Sequence, residues 1–434
     1  MATVKIDFEN EIGRIKPVHS VGQPPHLGVN NYSKFFYLKE ANIPYSRLHD
    51  VGWPFGSNLL VDIPNIFRDF DADVEDPNSY DFVFTDGLIT ALVENGVEPF
   101  YRLGVTIENF QHIKAYRIYP PKDFLKWAKI CEHIIRHYTE GWANGFNYNI
   151  KYWEIWNEPE IHPEISRNLM WKGTKEQFYE FYSVAATHLK EKFPHLKIGG
   201  YGSCGFYCLA DDYVAESNNT SAVETYLIFF NEFIEYIKEH NAPLDFFSWH
   251  TYDNIKNAKK YAEYARKRLD EAGYTETETT CNEWNCMPDK RGTMLHAANV
   301  TAMVLMMQDS VLDSAMFYDA RIGVSVYGGL FNPMTKEPLP TYYGFKFFGQ
   351  LYRMSNQVNA LTDNENVYVV SAKNDDEGGI LIANIGAETE FKLDINGQVA
   401  VECQKIIENG EPTVCEIPEK LPENSVYYIT TKKQ

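Results

Sequence analysis

The sequence predicts a (β/α)8 TIM barrel, an α/β fold, followed by a C-terminal antiparallel β-sandwich domain. First, short apolar strand candidates alternate with helical segments through most of the chain, which is typical of parallel βα units. Second, these candidates number eight, the number that closes such a barrel. Third, beyond about residue 350 the apolar residues recur with a period of two, which indicates antiparallel strands. We therefore expect the barrel over residues 16–350 and the sandwich over 351–434.

Each predicted element follows from a local pattern. Near the N-terminus, Val4, Ile6 and Phe8 alternate with polar residues, so we predict a half-buried strand within residues 1–15 that joins the sandwich. The predicted barrel strands lie near 17–22 and at 43–48, 97–103, 152–156, 196–200, 244–249, 279–284 and 314–318. The predicted helices are 86–95, 121–139, 175–193, 223–240, 258–272, 293–312 and 343–351. The predicted tail strands are 367–372, 379–384, 390–395, 398–402, 413–417 and 425–430. Asn396-Gly397 lies between two tail strands and predicts a hairpin.

Composition narrows the function. The 434-residue chain carries a formal net charge of −20, which argues against nucleic acid or an anionic membrane surface as its partner. Aromatic residues make up 15%, which suits a protein that stacks flat side chains on sugars. Seven scattered cysteines are not typical of a disulfide-stapled secreted domain. No signal region and no 18-residue apolar run is present, so we expect a cytoplasmic protein, or a secreted one whose signal peptide is absent from this chain.

The run Trp153-Glu-Ile-Trp-Asn-Glu-Pro-Glu160 predicts the first catalytic residue. It is a short apolar strand that ends in Asn-Glu-Pro, and the proline keeps Glu158 in an extended or turn conformation. Its carboxylate is therefore held at the end of a strand. The two indoles provide apolar surroundings, which raise a carboxyl pKa toward the range of a general acid. We predict that Glu158 is the acid/base of a glycosidase.

Glycoside hydrolysis usually requires a second carboxylate, and both must lie at the C-terminal ends of barrel strands. In the seventh predicted strand, Glu276 and Glu278 lie at the start, and Glu278 is five residues before Glu283, or about 16 Å at roughly 3.3 Å per residue. Only Glu283 reaches the top face. Alternation places Cys281 and Glu283 on one face, directed into the barrel mouth.

Other strand ends carry polar groups that suit a binding site. Arg47 could hydrogen bond to Glu283 and keep it ionised, and Tyr252 could orient it. Glu154 lies two pleats below Glu158 and is interpreted as a buried partner of Arg47. His250 could bind a sugar hydroxyl. The predicted substrate-binding residues are Arg47, His49, Asn157, His250, Tyr252, Trp284, Tyr318 and Asp319.

These motifs resemble glycoside hydrolase family 39, which contains β-xylosidases and α-L-iduronidases. The resemblance covers about residues 16–350 and extends beyond the Trp-Asn-Glu-Pro run that many barrel glycosidases share. It includes the segments 80–86 with 97–100, 171–179 with 197–200, 243–252, 282–285, and 328–330 with 342–343. The β tail is also expected of that family.

The resemblance implies a retaining double displacement. Glu283 would form a covalent glycosyl-enzyme, Glu158 would act first as acid and then as base, and Asn157 would hold the sugar 2-hydroxyl. The two carboxyl groups should lie roughly 5–5.5 Å apart. Arg102 stands where such enzymes often carry an acidic group, and Phe317-Tyr318-Asp319 replaces a Trp-rich strand end. A basic group at the rim would favour a uronic acid, and a neutral pocket would favour xylose.

Four other interpretations compete. Gly200-Tyr-Gly-Ser-Cys-Gly205 fits a dinucleotide fingerprint, although no clear helix follows it. Two pairs of cysteines could form a zinc site if their strand ends met, namely Cys204 with Cys208 and Cys281 with Cys286. The chain could also bind carbohydrate without catalysis, or cut inside polysaccharides. The long insertions at 53–80 and 106–120 favour a closed crater and exo action.

We therefore predict a retaining exo-glycosidase, a β-xylosidase-like hydrolase of polysaccharide-derived glycosides that needs no cofactor. The alternative glycones are a uronic acid, arabinose and galactose. The expected partner is a carbohydrate, with neither nucleic acid nor membrane. The oligomeric state is open, because the exposed faces of the tail strands could serve an interface.

Overall fold

The structure, a computed structural model, describes residues 1–25, 34–51, 61–107, 116–215, 221–323 and 325–433. The crater prediction depends on two insertions that fall partly outside these ranges. The chain begins with strand β1 (Ala2–Arg14), which belongs to the tail sheet. Val4, Ile6 and Phe8 are buried on one side of β1, as their alternation predicts.

Eight parallel strands form a closed barrel, which confirms the predicted fold class. In chain order they are β2 (Ser20–Gly22), β3 (Tyr45–Leu48), β4 (Glu98–Leu103), β5 (Tyr152–Ile155), β6 (Lys197–Ser203), β7 (Phe246–Thr251), β8 (Glu278–Trp284) and β9 (Ser314–Phe317). Each overlaps its predicted counterpart, and the ends differ by at most three residues. The strand ends that carry the candidate site residues therefore converge on one face of the barrel.

Helices connect the strands. Those within the described residues are α1 (Phe36–Glu40), α2 (Ile63–Ile66), α3 (Val83–Glu94), α4 (Phe124–Thr139), α5 (Lys175–Lys192), α6 (Ala222–Glu239), α7 (Ile255–Ala272), α8 (Met294–Gln308) and α9 (Pro340–Met354). Thr174 and Ser221 each form a capping box at the start of α5 and α6, which satisfies orphan backbone N–H groups. Of the helices in the described ranges, none has the length and apolar character that a bilayer crossing requires.

The barrel interior changes from apolar to charged along its axis. Near the N-terminal ends of the strands, Phe100, Tyr152, Phe246 and Met316 form a buried apolar cluster. Glu278 lies at this level and accepts a hydrogen bond of 2.8 Å from the Tyr152 hydroxyl, which confirms its predicted place at the bottom of the barrel. The buried charges therefore concentrate toward the opposite end.

The tail and β1 form one nine-stranded sheet. Its further strands are β10 (Asn356–Thr362), β11 (Val367–Lys373), β12 (Gly378–Asn384), β13 (Thr389–Asn396), β14 (Gln398–Lys405), β15 (Thr413–Cys415), β16 (Lys420–Leu421) and β17 (Ser425–Lys433). The order is β15-β14-β17-β12-β11-β10-β1-β13-β16, and only the pairing of β1 with β13 is parallel. Strands β10 and β16 had no counterpart in the prediction. The division into residues 16–350 and 351–434 stays a prediction.

The predicted hairpin at Asn396-Gly397 is wrong. Strands β13 and β14 flank this dipeptide, but β13 pairs with β1 and β16, whereas β14 pairs with β15 and β17. Five strands separate β13 from β14 in the hydrogen-bonded order. Because Gly397 alone connects them, the sheet must curl until its two ends face each other, as in a sandwich.

Candidate active site

Glu158 lies on a turn directly after β5. Trp156 (φ 72°) and Glu158 (φ 43°) both adopt the left-handed conformation, which costs roughly 1 kcal/mol or more per non-glycine residue. The Glu158 N–H donates to the Gly202 carbonyl (2.9 Å), and the Trp156 N–H donates to the Leu103 carbonyl (2.8 Å). Hydrogen bonds to β4 and β6 thus hold the turn. Of the two conformations predicted for Glu158, extended or turn, the structure shows a turn, and its backbone is left-handed.

The indoles near Glu158 have a different role from the predicted one. Trp156 packs against Trp171 and Phe181, and Trp153 stacks on Tyr101, all within the apolar layer between strands and helices. They therefore fix the base of the turn and do not form walls around the Glu158 carboxyl group.

Glu283 lies near the end of β8, where the strand is irregular. The pairing register shifts between β8 and both of its neighbours, so that Cys281 faces Trp249 but Glu283 faces the next residue, His250. As a result Asn282 and Glu283 both reach the polar interior, whereas Cys281 joins the outer apolar cluster. The prediction that Cys281 and Glu283 share a face is therefore wrong.

Arg47 connects the acidic groups beneath the barrel mouth. Its Nη1 donates to Glu283 Oε2 (3.0 Å), its Nε donates to Glu154 Oε2 (2.7 Å), and its Nη2 donates to Asn157 Oδ1 (2.6 Å). The guanidinium is almost completely buried, so these charge-assisted bonds replace its hydration. The predicted pairing of Glu154 with Arg47 is confirmed.

Glu154 is the anchor of this network. Its Oε1 accepts hydrogen bonds from the Ser248 hydroxyl and from Asn282 Nδ2, both at 2.6 Å. With Arg47 on Oε2, strands β3, β7 and β8 supply three donors across the barrel interior to one fully buried carboxylate. Because all of these hydrogen bonds are formed, Glu154 fixes the orientation of the Arg47 guanidinium. Arg47 in turn orients the side chains of Glu283 and Asn157.

His250, at the end of β7, and Tyr252, in the loop that follows, contact the carboxyl groups of Glu158 and Glu283. The Tyr252 hydroxyl donates to Glu283 Oε1 at 2.6 Å. His250 Nδ1 lies 2.7 Å from Glu158 Oε1 and 3.7 Å from Glu283 Oε2. Burial lowers the pKa of His250 to about 4, so the ring is neutral near pH 7. A neutral imidazole can donate to an ionised Glu158 or accept from a protonated one.

The two carboxyl groups differ in their electrostatic surroundings. Removal from water raises the pKa of Glu158 to about 7, against the opposing effect of Arg47. Burial also raises the pKa of Glu283, but His250, Arg47 and the Tyr252 hydroxyl oppose that rise. Glu283 alone of the two bonds directly to a guanidinium, which favours its ionised form.

A cavity of about 330 Å³ opens above these carboxyl groups. Six of the predicted site residues line it, namely His49, Glu158, His250, Tyr252, Glu283 and Tyr318. Arg47 and Asn157 lie buried behind that lining. Arg47 donates hydrogen bonds to both Asn157 and Glu283. The structure therefore brings eight of the ten predicted residues together.

Trp284 and Asp319 do not belong to the cavity, contrary to prediction. Trp284 is fully buried and packs on Phe317 and Phe345 on the outer side of the barrel. Asp319 is also fully buried, and its carboxylate accepts from Arg321 and from the Ser325 hydroxyl. In these positions neither side chain can contact a sugar bound in the cavity.

The remaining lining residues were not predicted. They are Asp50, Ile107, Ile161, Cys204, Tyr207, Tyr226 and Tyr327. Asp50 directly follows His49 at a strand end, so the rule that identified His49 could have identified it as well. The three tyrosines lie outside the barrel strands: Tyr207 begins a short 3-10 helix, Tyr226 is near the start of α6, and Tyr327 is in a loop. Strand periodicity therefore contains no signal for them.

Asp50 adds a third carboxyl group to the cavity. Its Oδ1 accepts from the Ile107 N–H (3.1 Å), and its Oδ2 lies 3.3 Å from His49 Nε2 and 3.4 Å from the Tyr318 hydroxyl. Burial raises the pKa of Asp50 to about 7. No guanidinium is among the described lining residues to pair with Asp50. Its carboxyl oxygens can therefore accept hydrogen bonds from the hydroxyl groups of a ligand.

Arg102 does not form a basic rim. It is fully buried in β4, and its Nη2 donates to Asp62 Oδ1 at 2.9 Å. No lysine or arginine is among the described residues that line the cavity. Arg102 therefore cannot bind the carboxylate of a uronic acid at the rim, as the sequence had suggested.

Glu158, His250 and Glu283 form the group of described residues that could hold a metal ion. One ligand atom of each lies within 4.8 Å of the others. However, the Arg47 guanidinium lies 3.0 Å from Glu283 and repels a cation at this position. The group contains no cysteine, and Cys204 and Cys281 are buried free thiols, which does not favour the zinc interpretation.

The glycine run 200–205 serves the carboxylate network. Strand β6 continues to Ser203, and a three-residue 3-10 turn (Tyr207–Leu209), not an α-helix, follows the run, so the dinucleotide interpretation fails. Gly202 has φ 63°, and a Cβ there would lie 3.0 Å from Arg47 Nη2, 3.1 Å from Asn157 Oδ1 and 3.3 Å from Glu154 Oε1. Only glycine leaves room for this arrangement.

Gly202→Ala is expected to lower kcat/KM about 10–100-fold, because the new methyl group displaces Arg47 and with it Glu283. The measurement is steady-state hydrolysis of an aryl glycoside, with circular dichroism to verify folding. Gly96→Ala is the matched control, since Gly96 also has a positive φ (74°) but no atom within 4 Å of its Cβ position. If kcat/KM falls equally in both variants, backbone strain alone explains the loss and the contact with Arg47 does not.

Comparison with known proteins identifies the enzyme family of this chain. The family model of glycosyl hydrolases family 39 matches residues 21–283, more than half of the chain. A β-xylosidase of Geobacillus stearothermophilus is 26% identical over 224 residues, which are 50% of this chain and 39% of that protein. A β-xylosidase of Caldicellulosiruptor saccharolyticus is 26% identical over 276 residues, 58% of this chain and 48% of that protein. The matches thus span half or less of these relatives' length.

Solved structures show the same fold over the whole chain. A glucosidase from Croceicoccus marinus superposes with a TM-score of 0.80 at 21% identity, covering 100% of this chain and 99% of the other. A monomeric β-xylosidase from Caulobacter crescentus superposes with a TM-score of 0.70 at 14% identity, covering 99% of each chain. The match to the family model over residues 21–283 decides the assignment: the chain belongs to glycosyl hydrolases family 39.

Proposed function

We propose that this protein is a retaining exo-glycosidase that acts on a neutral terminal sugar, with β-D-xylosides as its substrates. The observation that carries the proposal is the pair Glu158 and Glu283, which present oxygens within 4.8 Å of each other at the floor of one cavity. Retaining enzymes hold their carboxyl groups about 5–5.5 Å apart, whereas inverting enzymes need about 6.5–9.5 Å to admit a water molecule.

In the first step Glu283 acts as the nucleophile and Glu158 as the acid. The Glu283 carboxylate attacks the anomeric carbon while Glu158 donates its proton to the leaving glycosidic oxygen. Arg47 and Tyr252 keep Glu283 ionised and oriented, and the pKa of about 7 keeps Glu158 protonated in a substantial fraction of molecules near neutral pH. The product is a glycosyl ester on Glu283, and the aglycone departs.

In the second step the ester is hydrolysed. Glu158, now a carboxylate, removes a proton from a water molecule, and the resulting hydroxide attacks the anomeric carbon. Glu283 leaves as a carboxylate, and Glu158 is protonated again. His250 suits both steps, because its neutral ring can hydrogen bond to either protonation state of Glu158.

We assign the sugar 2-hydroxyl to Asn157, which lies directly behind the cavity lining and beside Glu158. Its Oδ1 is already bound by Arg47, and its buried Nδ2 has no hydrogen-bond partner among the described residues. An unsatisfied buried donor costs roughly 1–3 kcal/mol, which a hydroxyl of the bound sugar would offset.

The charge of the cavity favours a neutral sugar. Glu158, Glu283 and Asp50 supply carboxyl groups, and no cationic side chain is among the described lining residues. A uronate would place a further negative charge beside them, and like charges in contact cost several kcal/mol. At about 330 Å³ the cavity is near the lower end of small-ligand sites, which span roughly 300–1,000 Å³, so it favours one terminal sugar over a polymer groove.

The test is a panel of aryl glycosides with β-D-xylose, β-D-glucose, α-L-arabinose, β-D-galactose and β-D-glucuronic acid as glycones. We expect the xyloside to have the highest kcat/KM and the glucuronide to be at least about 100-fold slower, given the cost of like-charge contact. Asp50→Asn should narrow the xyloside-to-glucuronide ratio, because it removes one of the three carboxyl groups.

The anomeric configuration of the first product, followed by proton NMR, tests the stereochemistry. A β-anomer that appears first supports retention, and an α-anomer that appears first would refute it. If sugars bind but no member of the panel is hydrolysed, the carbohydrate-binding alternative takes precedence.

A further inference from the structure

Two cysteines of the tail sheet lie directly opposite each other. Cys403 is in β14 and Cys415 is in β15, and the antiparallel register pairs these two residues. Their Sγ atoms are 3.7 Å apart. Cys403 is buried in the apolar core of the tail sheet, and Cys415 is half-buried against the same core. All seven cysteines are free thiols, so this pair is reduced.

The register of the two strands suits a disulfide between these residues. Residues directly opposite in an antiparallel pair have Cα atoms about 4.5–5.5 Å apart. Disulfides form across Cα separations of about 4.4–6.8 Å, a range that includes this spacing. The Sγ atoms must approach from 3.7 Å to about 2.05 Å, which rotation of the side chains about χ1 can accomplish.

We propose that Cys403 and Cys415 are a redox modification site, which closes to an intramolecular disulfide on exposure to a low-molecular-weight disulfide such as oxidised glutathione. Cys415, the more exposed thiol, loses its proton and attacks one sulfur of oxidised glutathione, so that a mixed disulfide forms and one glutathione thiolate leaves. Cys403 then loses its proton and attacks Cys415 Sγ, and the second glutathione leaves as a thiolate. Two protein thiols are oxidised, and one glutathione disulfide is reduced to two thiols.

The disulfide would fasten an otherwise weak edge. Strand β15 has three residues and lies at the end of the nine-stranded sheet, and among the described strands it pairs with β14 alone. Short edge strands open easily because only one ladder of hydrogen bonds holds them. A covalent bond from Cys403 to Cys415 closes the intervening segment into a loop and holds β15 on the sheet. This inference does not depend on the proposed glycosidase activity.

The test uses the full chain with Cys208→Ser, which removes the other half-exposed thiol and leaves six cysteines of the seven. After incubation with oxidised glutathione and denaturation, thiol titration should fall from six to four. Peptide mapping without reductant should identify one Cys403–Cys415 disulfide. Hydrogen exchange of the β15 amides should slow about tenfold or more in the oxidised protein and recover with dithiothreitol.

Cys415→Ser in the same background is the matched variant, and it should keep all five remaining thiols under the same treatment. Three results would overturn the proposal: a stable glutathione adduct on Cys415, a disulfide that joins other cysteines, or six unreacted thiols under conditions that oxidise a reference dithiol. Unchanged hydrogen exchange in the oxidised protein would overturn the fastening of β15. Hydrolysis of the aryl xyloside should be equal in both redox states, since neither cysteine is among the site residues.

Discussion

Glu283→Gln is expected to lower kcat/KM for an aryl xyloside by about 10⁴-fold or more, because an amide cannot form the covalent glycosyl ester. The substitution retains the volume of the side chain and an oxygen that can accept from Arg47, so the fold should be unchanged. The measurement is steady-state hydrolysis, together with mass spectrometry after treatment with a 2-fluoro xyloside. We expect the label on Glu283 in the wild type and no label in the variant.

Glu278→Gln is the matched control for Glu283, because it changes the same functional group on the same strand at the other end of the barrel. It should remain within a few fold of the wild-type rate. If Glu283→Gln retains its rate, or if the label is found on another residue, the nucleophile is assigned wrongly. If both variants lose activity equally, the loss reflects damage to β8.

Glu158→Ala is expected to lower the rate for a xyloside with a poor leaving group by about 10²–10⁴-fold, the usual contribution of general acid catalysis. The loss should be smaller for an activated aryl leaving group, which departs without a proton. Azide should restore turnover of the activated substrate, because this anion attacks the glycosyl ester without a base, and the product should be the β-xylosyl azide.

The pH dependence provides a second readout for Glu158. Its pKa is raised to about 7, and the first step requires its protonated form. Hydrolysis of the substrate with the poor leaving group should therefore decline as the pH rises through about 7. This decline should be absent in Glu158→Ala. The opposite result, a decline that persists unchanged in the variant, would mean that another group controls it.

Glu160→Gln is the matched control, since Glu160 is a second buried carboxyl group two residues along the same turn. Its Oε1 accepts from the Ser203 hydroxyl and the Cys204 N–H, and a glutamine oxygen can accept both bonds. Azide should have no effect on this variant. Rescue of Glu160→Gln by azide would contradict the role assigned to Glu158.

The strand ends could be predicted from sequence because parallel βα units follow a regular apolar rhythm. Glu158, Glu283, Arg47 and Tyr252 each occupy or follow such an end, and a barrel brings all of its strand ends together. The place of a carboxyl group along its strand was therefore sufficient to separate Glu283 from Glu278. The catalytic roles of these residues stay predictions until the variants are measured.

What could not be predicted depends on interactions between distant segments. Cys281 was assigned to the wrong face because a register shift near Asn282 breaks the alternation of β8, and no local signal marks that shift. Trp284 was predicted to bind substrate, although it directly follows the inward Glu283 and alternation directs it outward. Asn396-Gly397 has the local chemistry of a hairpin, but the curl of the whole sheet decides which strands pair. Tyr207, Tyr226 and Tyr327 reach the cavity from a short 3-10 helix, the start of α6 and a loop, and the positions of these segments depend on packing against the rest of the barrel.

The position of β1 within the tail sheet has a consequence for synthesis on the ribosome. Strand β1 emerges first, but it pairs with β10 and β13, which begin at residues 356 and 389. At about 5–20 residues per second, its neighbours follow roughly 20–80 s later. During that interval the barrel can form, while the apolar face of β1 carrying Val4, Ile6 and Phe8 has no partner strand. Slow translation therefore prolongs the interval in which this apolar face lacks its partner strands.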